Sequence, residues 1–476
     1  MRLSIEPGLV GRWAARSAGF FVPLIAAFSA FAQDAAAPTP VADSGDTAWI
    51  LAATGLVLMM TLPGLALFYG GLVRAKNVLN VFMQCFIAAG VVGVLWILVG
   101  YSLAFSGSED ASFVGNFAKA GLAGVGLDSL TPNYGTTPVR YIPEYIFVMF
   151  QGMFAIITPA LILGAVVERM KFSTFLVFIS IWLLTVYCPL AYMVWGGGWI
   201  YDASAIDFAG GLVVHMSSGF SALVAALMLG KRKGFGREPM PPHSLPLCLI
   251  GAGLLWAGWF GFNSGSALSA SPLAAVALLN TSTAASTAVL VWALIEWLHR
   301  GKPTALGAAT AAVAGLVAIT PACGNVAPMG AMAVGMGVAI VCYAAVTFLK
   351  PLAGYDDSLD AFGVHGLGGA WGALASGIFA TSYGAGIETN MAQVMVQLKS
   401  IGFTALYAPA VTFVILYLLK LVMGLRVADE DEYDGLDVSQ HSESAYSLSS
   451  GSSMGGASGA SAMAAEGYAT AQTRHA

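Results

Sequence analysis

Charge is what this chain has least of. Asp, Glu, Lys and Arg make up 9% of its 476 residues, where a soluble globular domain carries roughly 25%. With 58% hydrophobic residues as well, it cannot dress a water-facing surface, and by composition it is an integral membrane protein. Cysteine is scarce too. Cys85, Cys188, Cys248, Cys323 and Cys342 lie mostly within apolar runs at no metal-ligand spacing, which excludes a disulfide framework and leaves them as small core residues. Phosphate-binding loops, metal-ligand clusters and nucleophile–base signatures are missing, so nothing points to an enzyme, a cofactor or a bound metal. Basic residues away from the membrane-flanking loops are too few for a nucleic-acid surface. The net charge of −5 decides little, because in membranes the position of charge matters more than its sum.

What the chain does have is glycine, 57 residues of it, as expected where helices approach closely in lipid, and long apolar runs. The first run reads as a cleavable secretory signal over residues 1–32. Arg2, Arg12 and Arg16 form a basic lead, Ala18 to Phe31 an apolar core, and Ala30-Phe31-Ala32 a small-x-small cleavage signature. Cleavage there would leave a short segment, 33–47, outside a bacterial inner membrane. A helix needs roughly 20 apolar residues to span a bilayer. Such windows fall near 48–73, 77–105, 141–166, 173–193, 208–230, 244–268, 272–297, 304–322, 326–349, 361–381 and 399–425.

These windows predict an all-α transmembrane domain of eleven helices over 48–425, with the N-terminus periplasmic and the C-terminus cytoplasmic. The positive-inside rule agrees: outside the leader, Lys119, Arg140 and Lys399 alone fall on the periplasmic side, and the other fourteen Lys and Arg fall inside. After the helices, residues 426–446 are acidic and patterned, which suggests an ordered cytoplasmic segment. Residues 447–476 are Ser/Gly/Ala-rich and cannot bury a core, so they are expected to be disordered.

Two histidines interrupt the apolar runs: His215 in DFAGGLVVHMSSGF and His365 in DAFGVHGLGGAWG. An ionisable ring in hydrocarbon is costly and usually faces a pathway or a protein partner. The two fall in the fifth and tenth windows, so helices one to five and six to ten read as repeats. Five is odd, which inverts one repeat against the other and places a site at their interface near the midplane. Two facing neutral imidazoles share a hydrogen bond and offer polar contacts to a small neutral amine. Asp207 and Asp360, upstream of each histidine, sit near helix N-termini, where a carboxylate accepts free backbone N–H groups; they read as structural caps. Glu168 and Glu296 lie beside basic residues and read as interfacial ion pairs.

An aromatic cluster occupies the presumed periplasmic side. Phe150 and Phe154 share a helix face in FQGMF, Trp195 opens WGGGW, and Trp259 and Phe262 stand in WFGFNSGS beside Ser266. Aromatic faces attract a desolvated cation by about 0.5–2 kcal/mol per contact, although aromatics near helix ends also form interfacial belts.

The segments TLPGLALFYGGLVRAKNVL, FQGMFAIITPALILGAVVERMKFS, MVWGGGW, DFAGGLVVH, WFGFNSGSAL, ITPACG, DAFGVHG and GLRVADEDEYDGLDVSQHSESAY closely resemble, in order from about Asp46 to Tyr446, the ammonium transporter (Amt/Mep/Rh) family. The resemblance implies inverted five-helix repeats plus a final helix, a homotrimer with a pore in each protomer, and ammonium or ammonia as the substrate. It implies an outer recruitment site at Phe150, Trp195 and Ser266, a gate of Phe154 and Phe262, and a pore lined by His215, His365, Trp259, Leu65 and Leu255. Asp207 matches the aspartate that organises the outer site. Trp195 and Ser266 resemble the bacterial Amt branch more than the Rh branch. Leu212 departs from the small polar residue common in the family. By the same resemblance, the acidic tail would dock a cytoplasmic PII-type regulatory protein. Two other readings stay open: a membrane ammonium sensor signalling through the tail, and an Rh-like channel for neutral gas.

Overall fold

The computed structural model describes residues 40–446 apart from Glu109, 134–135, 384–388 and Asn390. The expected signal peptide and the Ser/Gly-rich extension lie outside the described residues. Among those residues, nine helices are long and apolar enough to cross a membrane. They are α1 (Ser44–Leu72), α2 (Ala75–Phe105), α3 (Glu144–Val166), α4 (Phe172–Asp202), α5 (Gly211–Leu229), α6 (Leu245–Ser264), α7 (Pro272–Arg300), α9 (Pro328–Ala353) and α11 (Met391–Val422). Two shorter rods complete the order: α8 (Ala305–Ile319) and α10, built from Phe362–Leu367 and Gly368–Phe379. A β-hairpin, β1 (Leu130–Asn133) and β2 (Arg140–Pro143), pairs in the loop before α3. No apolar window marks it, and the expectation of an all-helical chain had no place for it.

Local chemistry sets the helix ends. Asp43, Ser244, Ser271 and Thr304 each accept from a backbone N–H three residues on, and proline stands in the first turn of α6, α7 and α9, where its missing N–H costs nothing. The Asp43 cap starts α1 at Ser44, ahead of the hydropathy window. Gly301 ends α7 in the left-handed conformation.

The halves match in backbone as well as order. Wider π-helical turns interrupt α1 at Met60–Leu65 and α6 at Phe260–Ser264, α4 at Leu183–Tyr187 and α9 at Ala345–Leu349, and α5 at Gly211–Met216 and α10 at Phe362–Leu367. Such turns mark functional sites in many helices; here three pairs fall in corresponding helices of the two repeats, and one more, at Trp96–Gly100 in α2, has no counterpart in α7. α3 is the central rod, with 83% of its apolar window buried, and α11 is the most peripheral, with 28%. Outward-facing Phe86, Leu98, Leu406 and Val422 give the bundle an apolar girdle.

One end of the bundle carries the tail, as α12 (Asp429–Asp434) and α13 (Leu436–His441). Asp437 Oδ1 accepts from Asn80 N at 2.8 Å, Asn77 Oδ1 accepts from Leu436 N at 2.9 Å, and Glu432 accepts from Lys233 N and from Arg426. Beneath the tail, buried Glu168 pairs with Arg74 and Arg232, each at 2.9 Å, and Arg232 also pairs with Asp356 at 2.9 Å. Among the described residues Glu296 joins no ion pair. It accepts from Thr304 N and Oγ1, capping α8, because Gly307 leaves its carboxylate room at that helix start.

Candidate functional site

The site begins with two glycines. α5 and α10 cross where Gly219 meets Gly366; a Cβ on Gly219 would lie 2.1 Å from Gly366 N, so no other residue permits the approach. The crossing brings His215 and His365 together, with Nδ1 to Nδ1 at 3.3 Å and the ring planes 24° apart. Both rings are buried.

Thr320, at the end of α8, orients the pair. Its hydroxyl donates to Leu316 O at 2.8 Å and accepts from Trp259 Nε1 at 2.9 Å, while His215 Nε2 stands 3.3 Å away. With its hydroxyl proton on the carbonyl, Thr320 offers His215 Nε2 an acceptor, an assignment that makes His215 Nδ1 the acceptor for His365 Nδ1–H. A threonine in the ITPACG segment thus orients the pair; the segment stands out in the sequence, but this role does not.

Each histidine helix starts under a carboxylate. Asp207 accepts from the N–H groups of Gly210, Gly211, Leu212 and Val213 at 2.5 to 3.3 Å, with Gly210 left-handed at φ 115°. In α10 the corresponding cap is Asp357, whose Oδ2 accepts from Phe362 N at 2.8 Å. Asp360, expected in that role, turns away to Lys350 at 2.6 Å, because its own backbone is left-handed at φ 58°. Spacing held the clue: Asp207 precedes His215, and Asp357 precedes His365, by the same eight residues.

At the end opposite the tail, a vestibule of about 360 Å³ is lined by Trp195, Phe154, Ser266, Asp207, Gln151 and Phe147, among others. Trp195 Nε1 donates to Asp207 O at 2.9 Å, which stands the indole edge-on to Phe154, 6.2 Å between centroids and 89° between planes. Ser266 donates its hydroxyl proton to Phe262 O, so its lone pairs are the part left for a donor in the vestibule. Phe150 does not line that space. It is fully buried, set edge-on behind Phe154 at 5.0 Å and against Gly265; the vestibule's aromatic lining is Phe154 and Trp195 together with Phe105, Phe147, Tyr201 and Phe208.

The vestibule floor is the pair Phe154 and Phe262, stacked at 4.1 Å and 22°. Below it the bore narrows to about 10 Å³ of room for the centre of a water-sized molecule, lined by Leu65, Leu255, Trp259, His215 and His365. That is close to the least that holds one water. Trp259 stacks on His215 at 5.4 Å and 23°. Past His365 a second vestibule of about 290 Å³ opens toward the tail, bordered by Asp360, Arg232, Glu296 and Tyr69. Among the described residues, no group of three His, Cys, Asp or Glu side chains converges to hold a metal ion.

Three comparisons bear on this arrangement. Residues 48–446 match the family model described as Ammonium Transporter Family. The chain is similar to an ammonium transporter of Aquifex aeolicus, 46% identical over 437 residues, which cover 91% of this chain and the full length of that protein. Among solved structures it is similar to Candida albicans Mep2, with a TM-score of 0.74 and 36% identity over 82% of this chain and 88% of that one. It is also similar to a sensor Amt protein, with a TM-score of 0.77 and 28% identity over 83% of this chain and 98% of that one.

Proposed function

The chain belongs to the ammonium transporter family, and we propose that it takes up ammonium selectively by recruiting it at the outer aromatic site, deprotonating it and conducting ammonia past the twin-histidine constriction. The observation that carries this reading is the 3.3 Å contact between two buried imidazoles in a bore too narrow for a hydrated ion. Ammonium enters the vestibule against the faces of Trp195 and Phe154, with Ser266 Oγ as acceptor. Moving it onward as an ion would forfeit its hydration and cost many kcal/mol. Once a proton is lost, neutral ammonia passes the Phe154–Phe262 pair and hydrogen-bonds along His215 and His365, with Leu65, Leu255 and Trp259 as the apolar wall, while the proton crosses separately, so that uptake carries net charge. Potassium has no proton to give up, so selectivity lies at the barrier.

In this reading the vestibule of Trp195 is periplasmic and the tail cytoplasmic, in a bacterial inner membrane, with the lysines and arginines of the tail end on the inside. The protomer assembles as a homotrimer, and the tail offers a docking place to a PII-type regulator at the mouth of the second vestibule. The docked tail also favours a second reading, since one similar structure is that of a sensor Amt protein: occupancy would be reported through the tail rather than as flux.

Ammonium-evoked current from the purified chain in lipid bilayers decides between them. Sustained current in the wild type, absent in His215→Ala/His365→Ala, supports transport by this route. No current in the wild type leaves the sensor or a neutral-gas channel, and undiminished ammonium-selective current in the double variant refutes the assigned role of the histidines.

A further inference from the structure

α11 has no counterpart in either repeat, yet it turns one fully buried amide toward the site. Gln397 Oε1 accepts from Ile206 N at 2.7 Å, and its Nε2 donates to Ile206 O at 2.8 Å and to Ala373 O at 2.8 Å. The side chain thus grips both polar groups of one residue, as a neighbouring strand would, while holding a carbonyl of α10. One turn earlier, Gln393 donates to Ser204 O at 3.1 Å. Gly377 of α10 makes room: a Cβ there would come within 3.0 Å of Gln397 Cγ.

What these bonds hold is the approach to Asp207. Ile206 immediately precedes it, so the amide fixes the peptide on which Asp207 is built. Asp207 in turn holds Trp195 through its carbonyl and the start of the His215 helix through its carboxylate. Ala373 lies on the helix that carries His365. One side chain therefore ties the recruitment aromatic to the two helices whose histidines meet. A buried amide with every bond satisfied holds a single geometry, and a binding group that shifts even slightly loses much of its effect.

We propose that Gln397 is a positioning residue for ammonium recruitment, setting the pose of Trp195 through Ile206 and Asp207. The proposal rests on the recruitment reading above. Its test is ammonium uptake by the full-length chain in proteoliposomes, with half-saturation and maximal flux measured per folded protein. Gln397→Leu removes all four of its bonds, the one from Gln393 Nε2 included, at nearly constant volume, and Gln397→Glu keeps the acceptor for Ile206 N but turns a carboxylate oxygen toward the carbonyls of Ile206 and Ala373. Gln397→Leu is expected to raise the half-saturation concentration about tenfold while changing maximal flux by less than about twofold, the signature of lost binding geometry; Gln397→Glu, with oxygen facing oxygen, gives a rise at least as large in the same parameter. Lower maximal flux at unchanged half-saturation, or failure of both variants to yield folded protein, overturns the proposal and assigns Gln397 to stability alone. Trp195→Leu run in parallel separates the two layers. If it too leaves half-saturation unchanged, the recruitment reading fails; if it raises half-saturation and the Gln397 variants do not, only the clamp fails.

Discussion

The segment from Asp207 to His215 and the segment from Asp357 to His365 use the same backbone for different chemistry. Each places an aspartate eight residues before a histidine and opens its helix with a π-helical turn. Their caps differ. Asp207 spends both oxygens on four N–H groups, whereas Asp357 Oδ1 has no hydrogen-bond partner among the described residues. Their exits differ more. The first opens on aromatic faces in the Trp195 vestibule; the second opens beside Lys350–Asp360 and the Glu168–Arg232–Asp356 cluster. Inverted repetition supplies a pair of facing imidazoles from one folding solution. On the transport reading, divergence at the two mouths gives the pathway a direction of approach.

Given that asymmetry, removing charge from the two caps has unequal consequences. Asp207→Asn turns an N–H donor toward backbone N–H groups and forfeits at least two charge-assisted bonds, a loss of about 3–6 kcal/mol, and the entrance to α5 shifts with it. Ammonium uptake is expected to fall to background, with a lower unfolding midpoint in detergent. In Asp357→Asn, the amide oxygen keeps the bond to Phe362 N and the NH2 takes the partnerless position, so the cost is about 1 kcal/mol or less and uptake persists. Equal losses in the two variants break the comparison.

A smaller effect sharpens it. Trp195→Leu removes one aromatic face from the vestibule and is expected to raise half-saturation roughly 2- to 30-fold, the range of one cation–π contact, with maximal flux retained. The matched change at the other mouth is Tyr69→Phe, which deletes the hydroxyl bond to Leu161 O and leaves half-saturation for uptake where it was. A Tyr69 variant that weakens apparent affinity as much as Trp195→Leu would place recruitment at both ends.

Hydropathy was enough to read the order of the helices, because lipid demands long apolar runs whatever packs inside. The two histidines stood out for the same reason: an ionisable group in such a run has few bland explanations. Contacts between distant segments were less legible. Phe150 and Phe154 share a face by spacing, and only packing against Gly265 decides which ring meets the vestibule. Asp360 stood closer to His365 than Asp357 did, and its left-handed backbone leaves no pattern in an Asp-rich turn. Thr320 and Gln397 act through hydrogen bonds across 105 and 191 residues of chain, a separation no local period encodes. Hairpin residues 130–143 failed as a signal because prolines and polar residues mask strand alternation.

The smallest expected effect concerns the ion cluster under the tail. Burial opposes ionisation of Glu168, but Arg232 and Arg74 outweigh it and hold the carboxyl below its usual range; Asp356 is likewise held low against burial by Arg232 and Arg169. A depressed pKa contributes stability that is complete above the unfolded value, near 4, and is lost as pH falls through the folded value. Asp437 runs the other way. Burial raises its pKa against the N–H bonds of Asn80 and its neighbours, so its ionised form opposes docking, and protonation as pH falls relieves that. His441 in the same tail opposes that relief: burial holds its pKa low, so it costs stability as pH falls below about 6.5. Below about pH 4 the unfolding midpoint in detergent is expected to drop further as Glu168 and Asp356 take up protons. Asp437→Asn removes the relief and leaves the acid drop in place. A midpoint that does not fall below pH 4 would show that the cluster is held by groups other than these carboxylates, and would erase the electrostatic contrast between the two mouths.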